Sequence, residues 1–272
     1  MLKLRDYQQQ GVDGIRNEYI DGIDSTLFVL PTGGGKTVVF CHIAQQSVNR
    51  NKNVLILVHR VELLKQTSKS LNKSGVEHGL INPKFTPNLM ASVQVASVQT
   101  LVNRLDKISP PDLIIIDEAH HATAGSWKKV IDYFPNAKIL GVTATPVRGD
   151  GKPLDVFESI VVGPQIYDLI DMGFLVKPVI YAPKIDIDLP SVKIVRGDYN
   201  QKQITELVDR PTITGNAVDH YKKLCPGVPA VAFCVSIEHA ERVAQDFRNS
   251  GFKAYSVDGE MDDETRNRIL DG

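Results

Sequence analysis

The sequence predicts an α/β protein, with a parallel sheet covered on both faces by helices and then a second, partial α/β unit. Three observations carry this. Short continuous apolar runs such as VLILV and LIIID alternate with amphipathic stretches, and strands apolar at every position belong to sheets buried on both faces. A glycine run, FVLPTGGGKTVVF, stands between a strand-like and a helix-like segment. Beyond residue 175 the alternation resumes with only about three strand-like segments.

The elements follow in order. In RDYQQQGVDGIRNEYI, Asp6 precedes Gln9 by three residues, a capping-box pattern. Tyr7, Val12, Ile15 and Tyr19 then recur at helical spacing. Residues 25–30 read as a buried strand, 36–50 as a helix and 53–59 as a second strand. Residues 61–75 form an amphipathic helix stopped by Gly75. Further strands are expected within 91–101 and at 112–117 and 138–144, so this sheet accounts for residues 1–147. Residues 148–175, rich in Gly and charge, read as a connector.

The second unit is expected over 176–272. Residues 177–190 have strand character with prolines at the margins. Residues 197–225 read as one or two helices broken at Pro211. Residues 229–235 and 253–259 read as strands, and 262–270 as a helix. Between those strands Ser236 starts a helix that Gly251 stops, with Ile237, Ala240, Val243, Ala244 and Phe247 on one face.

Composition narrows the function. The apolar fraction of 42% and charged fraction of 23% are globular values. A net charge of −1 excludes a dominant basic field, so any nucleic-acid surface must be local. Cys41, Cys225 and Cys234 lack zinc-site spacing and read as reduced structural thiols. With no bilayer-length apolar run and no signal-peptide block, the expectation is a soluble cytoplasmic protein without a membrane partner.

A strand that feeds a glycine-rich turn into a helix is the geometry of a phosphate cradle. Backbone amides converge on an anion and the helix N-terminus adds its positive end. The amides of Thr32, Gly33, Gly34, Gly35 and Lys36 are the candidate wrap, with Lys36 reaching the β- and γ-phosphates and Thr37 offering its hydroxyl to Mg2+. The strict pattern G-x-x-x-x-G-K-[ST] requires Gly where this chain has Leu30. The acidic partners are Asp117 and Glu118, which follow four aliphatic residues and so arrive at the carboxyl end of a buried strand. Asp117 is expected to hold the metal, and Glu118 to orient and deprotonate the attacking water.

PTGGGKT, then DEAH (residues 117–120), then TATP (residues 143–146) resemble, in that order, the superfamily 2 helicases and translocases. Within these the likeness is to the bacterial RadD-type DEAD/DEAH-box group and covers nearly the whole chain. The resemblance implies a RecA-like P-loop NTPase domain followed by a partial second RecA-like domain, with ATP and Mg2+ as ligands. It implies that Gln8 of LRDYQ hydrogen-bonds the adenine edge with Arg5 and Tyr7 in support, an ordinary helix start being the alternative. VHRVELLKQ resembles a nucleic-acid-contacting motif in which Arg60 and Gln66 approach backbone phosphates, while Lys65 reads equally as a solvated face. SVQTL resembles the next such motif, with Thr100 donating a hydroxyl. His120, Thr143 and Thr145 take the coupling role, and His121 reads as a packing or surface histidine. AFCVSIEHAERVAQDF resembles the start of the second domain, with residues 233–236 near the nucleic-acid path. VDGEMDDETRNRIL resembles the segment that follows it, in which an arginine, here Arg266, recurs.

The family's late arginine-finger motif, Q-x-x-G-R-x-x-R, has no match here. An arginine finger is worth about 10³–10⁵ in rate, so this chain is expected to bind ATP–Mg but turn it over slowly. The parent activity implied is ATP-driven movement on a nucleic-acid strand, DNA favoured over RNA. Two alternatives stay open: a duplex-DNA translocase of a restriction or remodelling complex, and an ATP-gated nucleic-acid-binding module without motor activity. An AAA+ or transport ATPase fits less well with Gln8 upstream and TATP downstream, and no acceptor motif suggests a kinase.

Overall fold

The computed structural model describes residues 3–122, 125–147, 154–181, 191–195, 198–208 and 211–271. The chain divides into two compact units, Met1–Pro178 and Val179–Gly272.

The first unit runs α1 (Asp6–Ile20), β1 (Ser25–Val29), α2 (Lys36–Val48), β2 (Val54–Val58), α3 (Val61–Lys73), β3 (His78–Ile81), β4 (Val93–Ser97), α4 (Val98–Leu101), β5 (Leu113–Asp117), α5 (Gly125–Tyr133), β6 (Lys138–Thr143), β7 (Ser159–Val162) and α6 (Ile166–Asp171). Its seven strands form one sheet in the order β3-β4-β2-β5-β6-β1-β7, and every pairing is parallel. Successive residues of a strand face opposite sides. Phe28, Ile56, Ile115 and Val142 therefore join one core, which includes Val12 and Ile15 of α1, Phe40 of α2 and Leu64 of α3. Leu27, Leu55, Leu57, Ile114 and Ile116 join the other, with Trp127 and Val130 of α5. Each fully buried aliphatic or aromatic side chain contributes about 1.5–3 kcal/mol, so the two cores fix the sheet.

Two strands escape the sequence reading, and both lie at sheet edges. β3 alternates between buried and half-buried positions. β7 leaves Ile160 and Val162 more than half exposed. An edge strand has one partner and incomplete cover, so its apolar signal is short and weak. β7 and α6 also correct the expected connector: residues 159–171 of that segment belong to the first unit, β7 pairing with β1. The capping pattern shifts by one residue as well. Arg5 is the N-cap, and the Gln8 side chain, rather than that of Gln9, accepts the Arg5 backbone N–H at 3.0 Å.

The second unit carries a two-stranded antiparallel ribbon, β8 (Ile194–Val195) with β9 (Asp198–Tyr199), and the helices α7 (Gln201–Val208), α8 (Pro211–Leu224), α9 (Ile237–Asn249) and α10 (Asp263–Asp271). Pro211 opens α8, where a missing N–H is harmless. Ser236 caps α9 by accepting the His239 N–H at 3.1 Å. Tyr221, Phe247 and Phe252 pack edge-on between α8 and α9 with centroids 5.0–6.0 Å apart. Residues 229–235 and 253–259, expected as strands, have no ladder partner among the described residues; Phe233 is 96% exposed. Apolar content prepares a segment for a sheet, but a strand exists only through its neighbours. Of the stretch 177–190, residues 177–181 are irregular and the remainder lies outside the described residues.

Candidate active site

Because all seven strands run parallel, their carboxyl ends share one edge, which is where open α/β sheets bind ligands. Along that edge β4 leads to Thr100, β2 to His59 and Arg60, β5 to Asp117 and Glu118, β6 to Thr143, and β1 to the glycine turn. The glycine turn and the acidic pair are thus separated by β6 alone, with adjacent strands about 4.8 Å apart. Arg60 and Thr100 lie on the opposite side of β5 from the glycine turn.

The glycine turn is held from below and from the side. Leu30 continues the pairing by donating its N–H to the Thr143 carbonyl at 3.0 Å. It is 0% exposed and sits in the core. A Cβ at Gly34 would meet it at 2.7 Å, and one at Gly163 at 2.8 Å. This explains the departure from the strict phosphate-loop pattern: the Leu30 side chain fills the core beneath the turn instead of lining its mouth. Gly35 is the N-cap of α2 with φ of 91°, and a Cβ there would collide with the Gln8 amide. No side chain caps α2, so its first-turn amides remain available to an anion.

Gln8 and Tyr7 lock onto this turn. The Gln8 Nε2 donates to the Gly34 carbonyl at 3.0 Å and the Tyr7 hydroxyl donates to the same oxygen at 2.8 Å. Arg5 Nη1 donates to the Tyr7 hydroxyl at 3.1 Å. Gln8 and Tyr7 are buried and Arg5 is exposed.

Across the edge, Asp117 is 6% exposed. Burial, and then the neighbouring Glu118 charge, push its carboxyl up from 3.8 to about 6; the Glu118 N–H bond and the Lys36 ammonium pull the other way. Lys36 therefore lies within electrostatic reach of Asp117. Glu118 has φ of 52° and ψ of 53°, a left-handed conformation uncommon outside glycine. Its backbone N–H donates to Asp117 Oδ1 at 3.0 Å. Its side chain lies 3.3 Å from His120 Nδ1.

His120 Nδ1 is also 3.0 Å from the Thr143 hydroxyl. That hydroxyl donates to the Thr145 carbonyl at 2.9 Å and accepts the Thr145 N–H at 3.1 Å. Its single proton is thereby committed, so His120 carries its proton on Nδ1 and donates it to Thr143. Burial, and then His121, hold the His120 pKa below the ordinary value, which keeps the ring neutral near pH 7.

The remaining predicted residues are more exposed. Arg60 is the exposed N-cap of α3 and Gln66 is exposed on that helix. Thr100 is half-buried, its hydroxyl 3.1 Å from that of Ser97. Arg266, in the second unit, donates to the carbonyls of Asp258 and Met261 at 2.8 and 3.2 Å.

Three residues at this edge escape the sequence reading. His59 and His121 pack with ring centroids 4.6 Å apart, and His121 lies 4.1 Å from His120, in keeping with a packing histidine. Phe174 and Leu175, from the segment read as connector, pack on Tyr7 and Gly33. Their signal is local: Gly173, with φ of 77°, ends α6, and an apolar residue after such a glycine commonly turns back onto the core.

Asp117 and Thr37 supply oxygen donors, and a buried carboxylate with a raised pKa is one that a divalent cation would relieve, which suits Mg2+. No cluster of three or more His, Cys, Asp or Glu side chains able to hold a metal occurs among the described residues, so a zinc-type centre does not fit them. No helix among the described residues is long and apolar enough to cross a membrane.

The family described as type III restriction enzyme, res subunit, matches residues 1–148. IRC3 of Saccharomyces cerevisiae, described as a candidate ATP-dependent helicase, is 31% identical over 98% of this chain and 42% of its own length. The DNA 3'-5' helicase XPB of Kineococcus radiotolerans is 34% identical over 61% of this chain and 30% of its own. The chain spans about half the length, or less, of the curated relatives it matches. A solved structure of the ATP-dependent type ISP restriction-modification enzyme LlaBIII bound to DNA is similar with a TM-score of 0.66. It covers 99% of this chain and 23% of that one at 17% identity, a likeness that shows the fold.

Proposed function

Because the chain belongs to the type III restriction enzyme res-subunit family, and with it to the superfamily 2 helicases, we propose that it binds ATP with Mg2+ and hydrolyses it to drive movement on DNA. The observation that carries this reading is the shared sheet edge, where β6 alone separates the glycine turn after β1 from the buried Asp117 at the end of β5.

In this reading the amides of residues 32–36 and the Lys36 ammonium hold the phosphates, and Gln8, Arg5 and Tyr7 hold the base. Thr37 and Asp117 hold Mg2+, which supplies charge neutralisation at the phosphate oxygens. Glu118 positions the attacking water and takes its proton. His120, bonded to Thr143 and 3.3 Å from Glu118, ties the state of that carboxylate to β6 and Thr145. Arg60, Gln66 and Thr100 contact the nucleic-acid backbone, which makes binding tolerant of sequence and sensitive to salt. DNA is favoured over RNA because IRC3 is joined among the relatives by a named DNA helicase.

No Q-x-x-G-R-x-x-R run occurs in the 272 residues, and turnover by this chain alone is proposed to be slow for want of that arginine. The test is calorimetric titration of Mg–ATP beside steady-state phosphate release with and without DNA. Saturable binding with slow release supports the reading. An absence of heat on titration overturns it.

A further inference from the structure

Phe174 is not among the residues the nucleotide reading uses, yet it packs on two that are, Arg5 and Tyr7. The Arg5 guanidinium carbon lies 4.5 Å from the Phe174 ring centroid. The Tyr7 ring is tilted against the same ring at 5.2 Å. Arg5 donates to the Tyr7 hydroxyl, which in turn donates to the Gly34 carbonyl of the phosphate turn. Leu175 occupies the space a Cβ would need at Gly33, 2.7 Å away.

Phe174 is itself held from behind, by α6. Gly173 reverses the chain, and the N–H groups of Phe174 and Leu175 both donate to the Leu169 carbonyl, at 2.8 and 3.0 Å. Leu169 is fully buried in the core. The aromatic ring is thus set by the fold and needs no ligand to place it, while it stays 39% exposed.

A guanidinium is a flat cation with two faces and stacks well on rings. The Arg5 guanidinium carbon sits over the Phe174 ring, and Arg5 is exposed, which leaves it accessible to a second flat partner. An exposed arginine otherwise loses rotamer freedom when it is fixed. Stacking on Phe174 and bonding to Tyr7 remove much of that cost before any ligand arrives.

We propose that Phe174 is a positioning residue that holds the Arg5 guanidinium flat as a platform for the nucleobase. The base's share of the nucleotide affinity then depends on Phe174 and the triphosphate's share does not. This rests on the ATP-binding reading above and adds to it a residue from beyond the phosphate turn, Gln8 and the acidic pair.

The experiment titrates the 272-residue chain with Mg–ATP and, separately, with Mg–tripolyphosphate, which has the phosphates and no base. The variants are Phe174→Ala, Phe174→Leu, which keeps bulk without the aromatic face, and Phe174→Tyr. Both Ala and Leu are expected to weaken ATP by about 3–10-fold while tripolyphosphate changes by less than about twofold, the range of a partly exposed cation–ring contact. Tyr is expected to match the wild type for both ligands. Full ATP affinity in Phe174→Leu, or equal losses for both ligands, would overturn the brace and leave the ATP reading standing. A wild-type chain that binds neither ligand would sink both.

Discussion

Glu118 and Asp117 are neighbours with opposite demands. Asp117 is buried at the end of β5, while Glu118 turns out of the strand through a left-handed conformation and meets His120. A non-glycine residue held there costs of order 1–3 kcal/mol, so the surrounding sheet supports a carboxylate aimed away from the strand line. Glu118→Gln keeps the shape and removes the base. It is expected to bind Mg–ATP within about twofold of wild type and to lose about 10²–10⁴ in turnover, read by calorimetry and phosphate release; retained turnover would remove Glu118 from the mechanism.

Asp117 yields a pH prediction. Its folded-state pKa is raised from 3.8 to about 6, first by burial and then by Glu118, so the folded protein holds this proton more tightly than the unfolded chain. That contribution to stability is complete below pH 3.8 and is lost as pH rises through about 6. Metal-free Asp117→Asn has no charge to bury. Relative to wild type it should gain stability between about pH 4 and about pH 7, by as much as about 3 kcal/mol. Urea unfolding at the two pH values measures the difference, and a constant gap between the proteins would contradict it.

At the scale of elements, the glycine turn is a joint between β1 and α2 in which Gly33, Gly34 and Gly35 are pressed by Leu175, Leu30 and Gln8. Gly35 is left-handed and pressed by Gln8, so Gly35→Ala is expected to cost about 1–3 kcal/mol and to weaken ATP binding. Leu30→Gly would restore the strict motif, and pattern matching alone would rate it an improvement. Leu30 is fully buried, so the expected outcome is a loss of about 3 kcal/mol or more, seen as a lower unfolding midpoint. The turn itself was legible because a glycine run between two apolar segments breaks both strand and helix. The brace from Phe174 was not, because a Gly- and charge-rich stretch reads as connector until α6 is seen to pack.

For the whole molecule, the seven-stranded sheet, both cores and every residue assigned to nucleotide lie within Met1–Pro178. That unit is expected to fold cooperatively by itself and to bind Mg–ATP with a dissociation constant within about twofold of the full chain, by thermal melting and calorimetry. A non-cooperative melt would show that its cores are incomplete. Residues 229–235 and 253–259, expected as strands, pair with nothing among the described residues.

Sequence by itself determined the local pattern: a glycine turn between a strand and a helix, an acidic pair at a strand end, and a parallel sheet to carry them, because glycine and aliphatic patterns act through neighbours along the chain. Tertiary structure alone decided that β6 stands between β1 and β5, that Leu30 faces the core, and that Phe174 reaches Arg5. Strand order and side-chain packing depend on contacts between residues far apart in sequence, and no short-range pattern encodes those.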